Sequence, residues 1–473
     1  MGGWGSARAS EAAMVDDRDV VVIGGGFAGL SAGVALAERG FRVAVLERKP
    51  ALGGRAYSFI DPESGDFVDN GQHVLMGCYA ETFDFLKKIG TYDKLVFIEN
   101  LEIEMVARDG ARATLRTGRL PGPLHMTAAV LRYRHLSLGE RASLLRAGLR
   151  LLAMRRTDRA ALEQTSVTTL MDHLGQSERA RQTFWYPLTI ATLNEEPALA
   201  SAALLAEVMK RAFFARRRDS AFVYSKVGLS DLYCGAAAEF IQEREGVVTS
   251  RTGVETLEVG THGAVERVRL RDGRGLTAAN FIAAVPCGAL LQMLPPGAGD
   301  DPFFARIAGL KSSPIICVHV WLDREVTDSA FVGFIGTTTQ WLFNKRKIFD
   351  ASGERHPGYL SFVISGARAL VERSNEELLD QVMNDLRAMV PAAREAKVVK
   401  ALVLKEKQAT MAPVPDSYAL RPGPATPLPN LFLAGDWTQT GLPATIESAV
   451  ISGRAAAAAV AARVEQTRSD GRA

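Results

Sequence analysis

Gly24, Gly26 and Gly29 stand at the spacing G-x-G-x-x-G, directly after the apolar run Val20-Val21-Val22-Ile23. Glycines at these positions let the chain turn tightly, bring backbone N–H groups up to a pyrophosphate, and pack the next helix on the preceding strand. A helix expected from Phe27 to Arg39 aims its positive end at the same anion. Gly40 ends it, and Phe41 to Leu46 reads as the second strand. Glu47 lies at that strand's carboxyl end, about twenty residues past the glycines, where a carboxylate accepts hydrogen bonds from both ribose hydroxyls and repels a 2′-phosphate. A ligand-free Gly-rich turn explains a lone glycine triplet, but not one accompanied by its strand, helix, second strand and acid.

The continuation Lys49-Pro50-Ala51-Leu52-Gly53-Gly54-Arg55 resembles the second signature of the amine-oxidase and carotenoid-desaturase flavoproteins, where a G-G-R loop follows the acid along the FAD diphosphate. The resemblance implies FAD as cofactor, with Gly54 and Arg55 at the diphosphate or the flavin edge, and Val254 as backbone partner of adenine. Near the other end, the strand Asn430 to Asp436 closes on Gly435-Asp436, placing an acid where it can bind a ribityl hydroxyl. A helix expected from about Ala444 to Val464 opens with the N–H groups of Ala444, Thr445 and Ile446. Its positive end can stabilise negative charge on the N1/C2 carbonyl side of a reduced flavin.

Asp69-Asn70-Gly71-Gln72-His73 follows the G-G-R loop so closely that its polar side chains are candidates for the flavin's reactive ring. The alternative is a polar turn capping the helix from about Tyr79 to Ile89. Of the two titratable residues, His73 suits proton donation at neutral pH and Asp69 needs a raised pKa, while a purely structural histidine stays open.

These residues need a scaffold, and the pattern is α/β: a Rossmann-like two-dinucleotide-binding FAD domain interleaved with a mixed-sheet and helical substrate domain. Residues 18–90, 221–295 and 418–473 form the first, residues 91–220 and 296–417 the second, and residues 1–17 a flexible tail. Leu229 to Glu245 reads as a helix, Val247-Val248 as a third parallel strand, Gly253 to Val259 as the start of a β-meander, and Asn280 to Val285 as a returning strand. Strands at Ile315–Leu322, 331–336, 340–343 and 359–364 and a helix over Asn375–Met389 suit the floor of a substrate cavity.

With 473 residues and 47% hydrophobic content the chain can bury more than one core. A net charge of +3 is too mild to argue for nucleic acid. Cys78, Cys234, Cys287 and Cys317 form neither a metal nor a disulfide pattern, which fits a reducing cytoplasm, and no metal is expected. The start lacks the features of a signal peptide, and no apolar run is long enough to span a bilayer. Arg132, Arg134, Arg141, Arg146, Arg150, Arg155, Arg156 and Arg159 punctuate leucines, and Lys210 to Arg218 mixes cations with Phe213 and Phe214. Such helices can lie on an anionic membrane surface, each exposed cation contributing about 1 kcal/mol, or form a solvated face. The first reading puts the protein in the cytoplasm, attached peripherally to the inner face of the cell membrane.

Longer blocks narrow the resemblance. Asp69 to Tyr79, Trp185-Tyr186-Pro187-Leu188 with Leu193-Asn194, Val227 to Ser230 and Gly441 to Glu447 resemble the squalene-associated FAD enzymes of bacterial hopanoid synthesis, the hydroxysqualene dehydroxylases. The resemblance covers nearly the whole chain after residue 18, with the Trp185 and Asn194 stretch its most specific part. It implies a C30 isoprenoid substrate, an allylic alcohol whose hydroxyl is replaced by hydride from FADH2. A phytoene-desaturase-like polyene desaturase would run hydride the other way on the same fold, and a non-catalytic flavin carrier is a third class. No second nucleotide motif marks a nicotinamide site, so the electron donor is unknown.

Overall fold

The computed structural model describes residues 18–98, 101–154, 159–349 and 357–470. The tail, Arg155, Arg156 and the side chain of Arg159 lie outside the described residues. Arg18–Ile23 and Val43–Leu46 become parallel neighbours buried on both faces at their apolar centres, as continuous β-branched runs require. The parallel sheet runs Val247–Thr249, Val43–Leu46, Arg18–Ile23, Gly275–Ala283, Leu431–Leu433. All five carboxyl ends therefore lie along one edge, the edge at which open α/β sheets bind ligands.

Three of the boundaries that differ from expectation bear on the site. The second strand opens at Val43 rather than Phe41. The returning strand begins at Gly275 and ends at Ala283, because its first half pairs antiparallel with Val265–Leu270, which in turn pairs with Val254–Val259. The last helix is Ile446–Asp470, starting two residues later than expected. It packs closely along Phe27–Ala37, where a Cβ on Gly453 would collide with Ser31 and the Ala28 carbonyl.

A second sheet orders its strands Val398–Met411, Ser312–Leu322, Gly358–Ser365, Trp341–Asn344, Phe331–Ile335, Glu102–Ala107, Arg112–Arg116. The helix Asn375–Met389, opened by a Ser374/Glu377 capping box, packs Leu378, Val382, Met383 and Leu386 into a core on one face. Helices between Leu124 and Phe213 share a separate core with the other face. The edge strand Val398–Met411 has no counterpart in the sequence reading. Between the two sheets sits the hairpin Ser58–Ile60 with Phe67–Asp69. Reciprocal Ser58–Ser230 hydrogen bonds of 2.9 and 3.0 Å tie it to the first layer.

Candidate functional site

At the sheet's ligand edge, two glycine loops face each other. Gly24 has φ +114°, and a Cβ on Gly29 would collide with the Gly24 carbonyl. Gly53 and Gly54 have φ of +119° and +61°, and a Cβ on Gly54 would sit 3.3 Å from Gly26 Cα. Glu47 joins the loops, one carboxylate oxygen accepting from the Gly25 N–H at 2.9 Å and the other from the Lys49 N–H at 2.8 Å. Each oxygen keeps a lone pair free. The helix Phe27–Ala37 starts at Gly26 with no capping side chain and no acid in its first turn, so its positive end is left for an external anion. Tyr233 stacks on Phe27 with ring centroids 3.6 Å apart, and its hydroxyl reaches the Gly53 and Ala56 carbonyls. Val254 opens the meander, paired with Leu270, just past Thr252, whose N–H donates to the Glu47 carbonyl. A diphosphate and ribose fit this donor set.

Asp436 follows Gly435, which has φ +149°, and pairs with Arg55 at 2.5 Å. Arg55 also donates to the Ala409 carbonyl on the missed edge strand, so two residues expected at the cofactor meet one another at the junction of the layers. Thr445 caps the last helix by accepting from the Ser448 N–H at 3.1 Å. The N–H groups that open this helix are therefore those of Ile446 and Glu447, and Ala444 precedes it. Buried Glu447 accepts from the Glu81 and Thr82 N–H groups at 3.0 and 2.8 Å, stapling the start of Ala80–Lys88 to the start of the last helix. Its carboxyl is pushed up, chiefly by burial.

The Asp69–His73 segment runs between these anchors. Asp69 and Lys345, 3% and 0% exposed at their side chains, pair at 2.9 Å, and Lys345 also donates to Gln72 at 2.6 Å. His319 approaches the Asp69 carbonyl at 3.0 Å through Nε2 and the Tyr359 hydroxyl at 3.0 Å through Nδ1. Burial, with the Lys345 charge, holds His319 near pKa 3, so the ring is neutral. A carbonyl only accepts, so Nε2 is the nitrogen placed to donate to Asp69, while the single proton of the Tyr359 hydroxyl is shared between Nδ1 and the Phe67 carbonyl, also at 3.0 Å. One residue before the hairpin's second strand, Asp66 takes a bidentate pair from Arg346, at 2.5 and 2.9 Å, and the Trp321 indole N–H at 2.7 Å. None of Asp66, His319, Lys345 or Arg346 was singled out from sequence.

His73 is half-buried, and its imidazole has no hydrogen-bond partner among the described residues. Its pKa is lowered by enclosure, partly restored by Asp69, and lowered further by Lys345 and Arg55. Tyr79 is pushed up by burial, with Cys78 and Glu447 adding to the shift. No metal-binding cluster occurs among the described residues.

The family described as flavin containing amine oxidoreductase matches residues 27–461. This chain belongs to that family. It is an FAD-dependent oxidoreductase. The chain is 30% identical over 455 residues to hydroxysqualene dehydroxylase of Rhodopseudomonas palustris, covering 93% of this chain and 97% of that protein. It is 26% identical over 472 residues to 15-cis-phytoene desaturase of Synechococcus elongatus, covering 96% and 98%. Cyclohexylamine oxidase of Brevibacterium oxydans shares the fold, with TM-score 0.67, 17% identity, and coverage of 95% and 100%.

In this flavin amine oxidoreductase the most specific part of the resemblance is scaffold. Trp185, fully buried, donates to Gln176 at 2.9 Å. Asn194, at φ 54°, bonds to Ser313, Thr410 and Gly366, locking a helix end to three strand ends. Replacing Glu47 or Asp436 by Ala is expected to weaken FAD retention about tenfold or more, each change removing a charged hydrogen bond worth about 1.5–3 kcal/mol. Flavin fluorescence after dialysis checks this, and retention equal to wild type would remove either acid from the cradle.

Proposed function

We propose that this flavin amine oxidoreductase reduces hydroxysqualene to squalene, with loss of the allylic hydroxyl. The observation that carries the reading is the 30% identity to a hydroxysqualene dehydroxylase along almost the whole length of both chains. Bound and reduced, FAD supplies hydride. The chain's own residues would hold it through Glu47, Gly54, Arg55 and Asp436, and would supply a proton to the hydroxyl, which departs as water, from the segment that carries His73. The likeness to a phytoene desaturase supports a second reading, a polyene desaturase running in the opposite direction. Anaerobic photoreduction followed by mixing decides between them: reoxidation by hydroxysqualene with formation of squalene supports the first. Reduction of the oxidised enzyme by phytoene, with no response to hydroxysqualene, supports the second.

A membrane-resident substrate suits a surface that touches lipid, and exposed leucines support one. Leu124 and Leu131 share a face of Leu124–Arg132, and Leu138, Leu149 and Leu152 share a face of Leu138–Ala153, with Leu138 78% and Leu149 65% exposed. Leu144, Ala147 and Leu151 face the core instead. Glu140 is the sole acid from Arg119 to Ala153, beside six arginines. Lys210 to Arg218 differs, since Phe213 is buried, Lys210 donates to the Met154 carbonyl, and Arg211 pairs with Glu207. No described helix is long and apolar enough to cross a membrane. The double variant Leu138→Ser/Leu149→Ser is expected to bind anionic vesicles at least about tenfold more weakly. Wild-type protein is expected to retain part of its binding at high salt, where charge is screened. Equal sedimentation of variant and wild type would leave these leucines without a membrane role.

A further inference from the structure

Lys345 is the buried cation nearest the segment assigned to the flavin, and its ammonium has three donors to place. One goes to Asp69 at 2.9 Å and one to Gln72 at 2.6 Å. The ammonium also lies 4.0 Å from the centre of the Phe349 ring, a cation–π contact. Asp69 is equally committed: its other carboxylate oxygen accepts from the Leu229 N–H at 3.3 Å and its carbonyl from His319. Neutral His319 brings no competing charge to the pair. A cation with no surface exposure, spanning both ends of a four-residue stretch next to His73, is more than a fold requires. Burying an ion pair costs several kcal/mol per ion, and an apolar pair of the same volume is often as stable.

We propose that Lys345 is a positioning residue of this site: it holds Asp69 and Gln72 from beneath and sets the charge that His73 meets. The proposal rests on the reading that this segment faces the flavin. The charged groups around His73 are Asp69 on its own segment, Lys345 from the helix after Trp341–Asn344, and Arg55 from the G-G-R loop, itself paired with Asp436. Lysine and aspartate therefore act on the imidazole with opposite sign, a signature that a purely structural pair lacks.

The test is His73 titration in the FAD-loaded protein by proton NMR, the resonance being the one lost in His73→Gln. Lys345→Met is expected to raise the midpoint by about half a pH unit or more, Asp69→Asn to lower it, and Lys345→Arg to restore wild-type behaviour. Coincident curves for Lys345→Met and wild type overturn the proposal. If Lys345→Met does not fold, Lys345→Met/Asp69→Asn leaves no buried charge unpaired. A curve matching that of Asp69→Asn alone then overturns the proposal, and a higher midpoint supports it. The visible bands of bound FAD test the placement separately. A shifted histidine with unchanged bands in Lys345→Met sinks the flavin-facing reading while the coupling of Lys345 to His73 stands.

Discussion

Asp66→Ala is expected to destabilise the FAD-loaded protein by about 3–5 kcal/mol, the loss typical of removing one partner from a buried ion pair. Asp66 and Arg346 are 2% and 11% exposed at their side chains, so the carboxylate is removed from a setting with little water. The Trp321 indole N–H loses its acceptor too, beneath the Tyr359 ring stacked on it at 4.5 Å. A surface pair would lose under about 1 kcal/mol, so the magnitude alone separates the two cases. Asp66→Asn/Arg346→Met, which leaves no unpaired charge, is expected to recover most of the loss. Urea unfolding followed by tryptophan fluorescence checks both. A loss below about 1 kcal/mol in Asp66→Ala would mean that the hairpin is not held by this pair.

Asp66 illustrates what the sequence could not display. It reads there as the end of a polar turn, and its partner Arg346 is 280 positions away. Lys345 and Asp69 are 276 apart, and nothing in the spacing of either announces the other. Local patterns were legible for the opposite reason. The first strand–turn–helix–strand unit carries its signal within about thirty residues, and the helix Asn375–Met389 has its expected bounds because a capping box and apolar periodicity agree. Val398–Met411 escaped because its apolar residues are broken by Lys400, Lys405, Glu406 and Lys407, the composition of a solvent-facing edge strand. The last helix begins two residues later than expected because the hydroxyl of Thr445, accepting from the Ser448 N–H, sets its start. Arginines suggested a membrane face in the sequence, whereas the exposed leucines on the same helices became visible only once each helix's buried side was known.

His73→Ala, in protein that binds FAD normally, is expected to slow anaerobic reoxidation by hydroxysqualene about a hundredfold, the usual contribution of a positioned general acid. Hydroxide leaves poorly without a proton, and among the side chains of this segment His73 alone is titratable and has no hydrogen-bond partner among the described residues. Asp69 is occupied by Lys345 and the Leu229 N–H, so Asp69→Asn is expected to act through the segment's position and to slow the reaction less. The pH dependence follows from the lowered pKa of His73. The cationic acid predominates only below that pKa, so the rate falls as pH rises through a midpoint under the ordinary histidine value of about 6.5. At neutral pH the step draws on a minority of protonated enzyme, and acidification accelerates it. Tyr79 is the competing donor, kept protonated by its raised pKa across this whole range. A tyrosine donor would give a rate flat with pH where the histidine gives a falling one. Wild-type rates in His73→Ala, with a flat profile and a large loss in Tyr79→Phe, would transfer the role to the phenol.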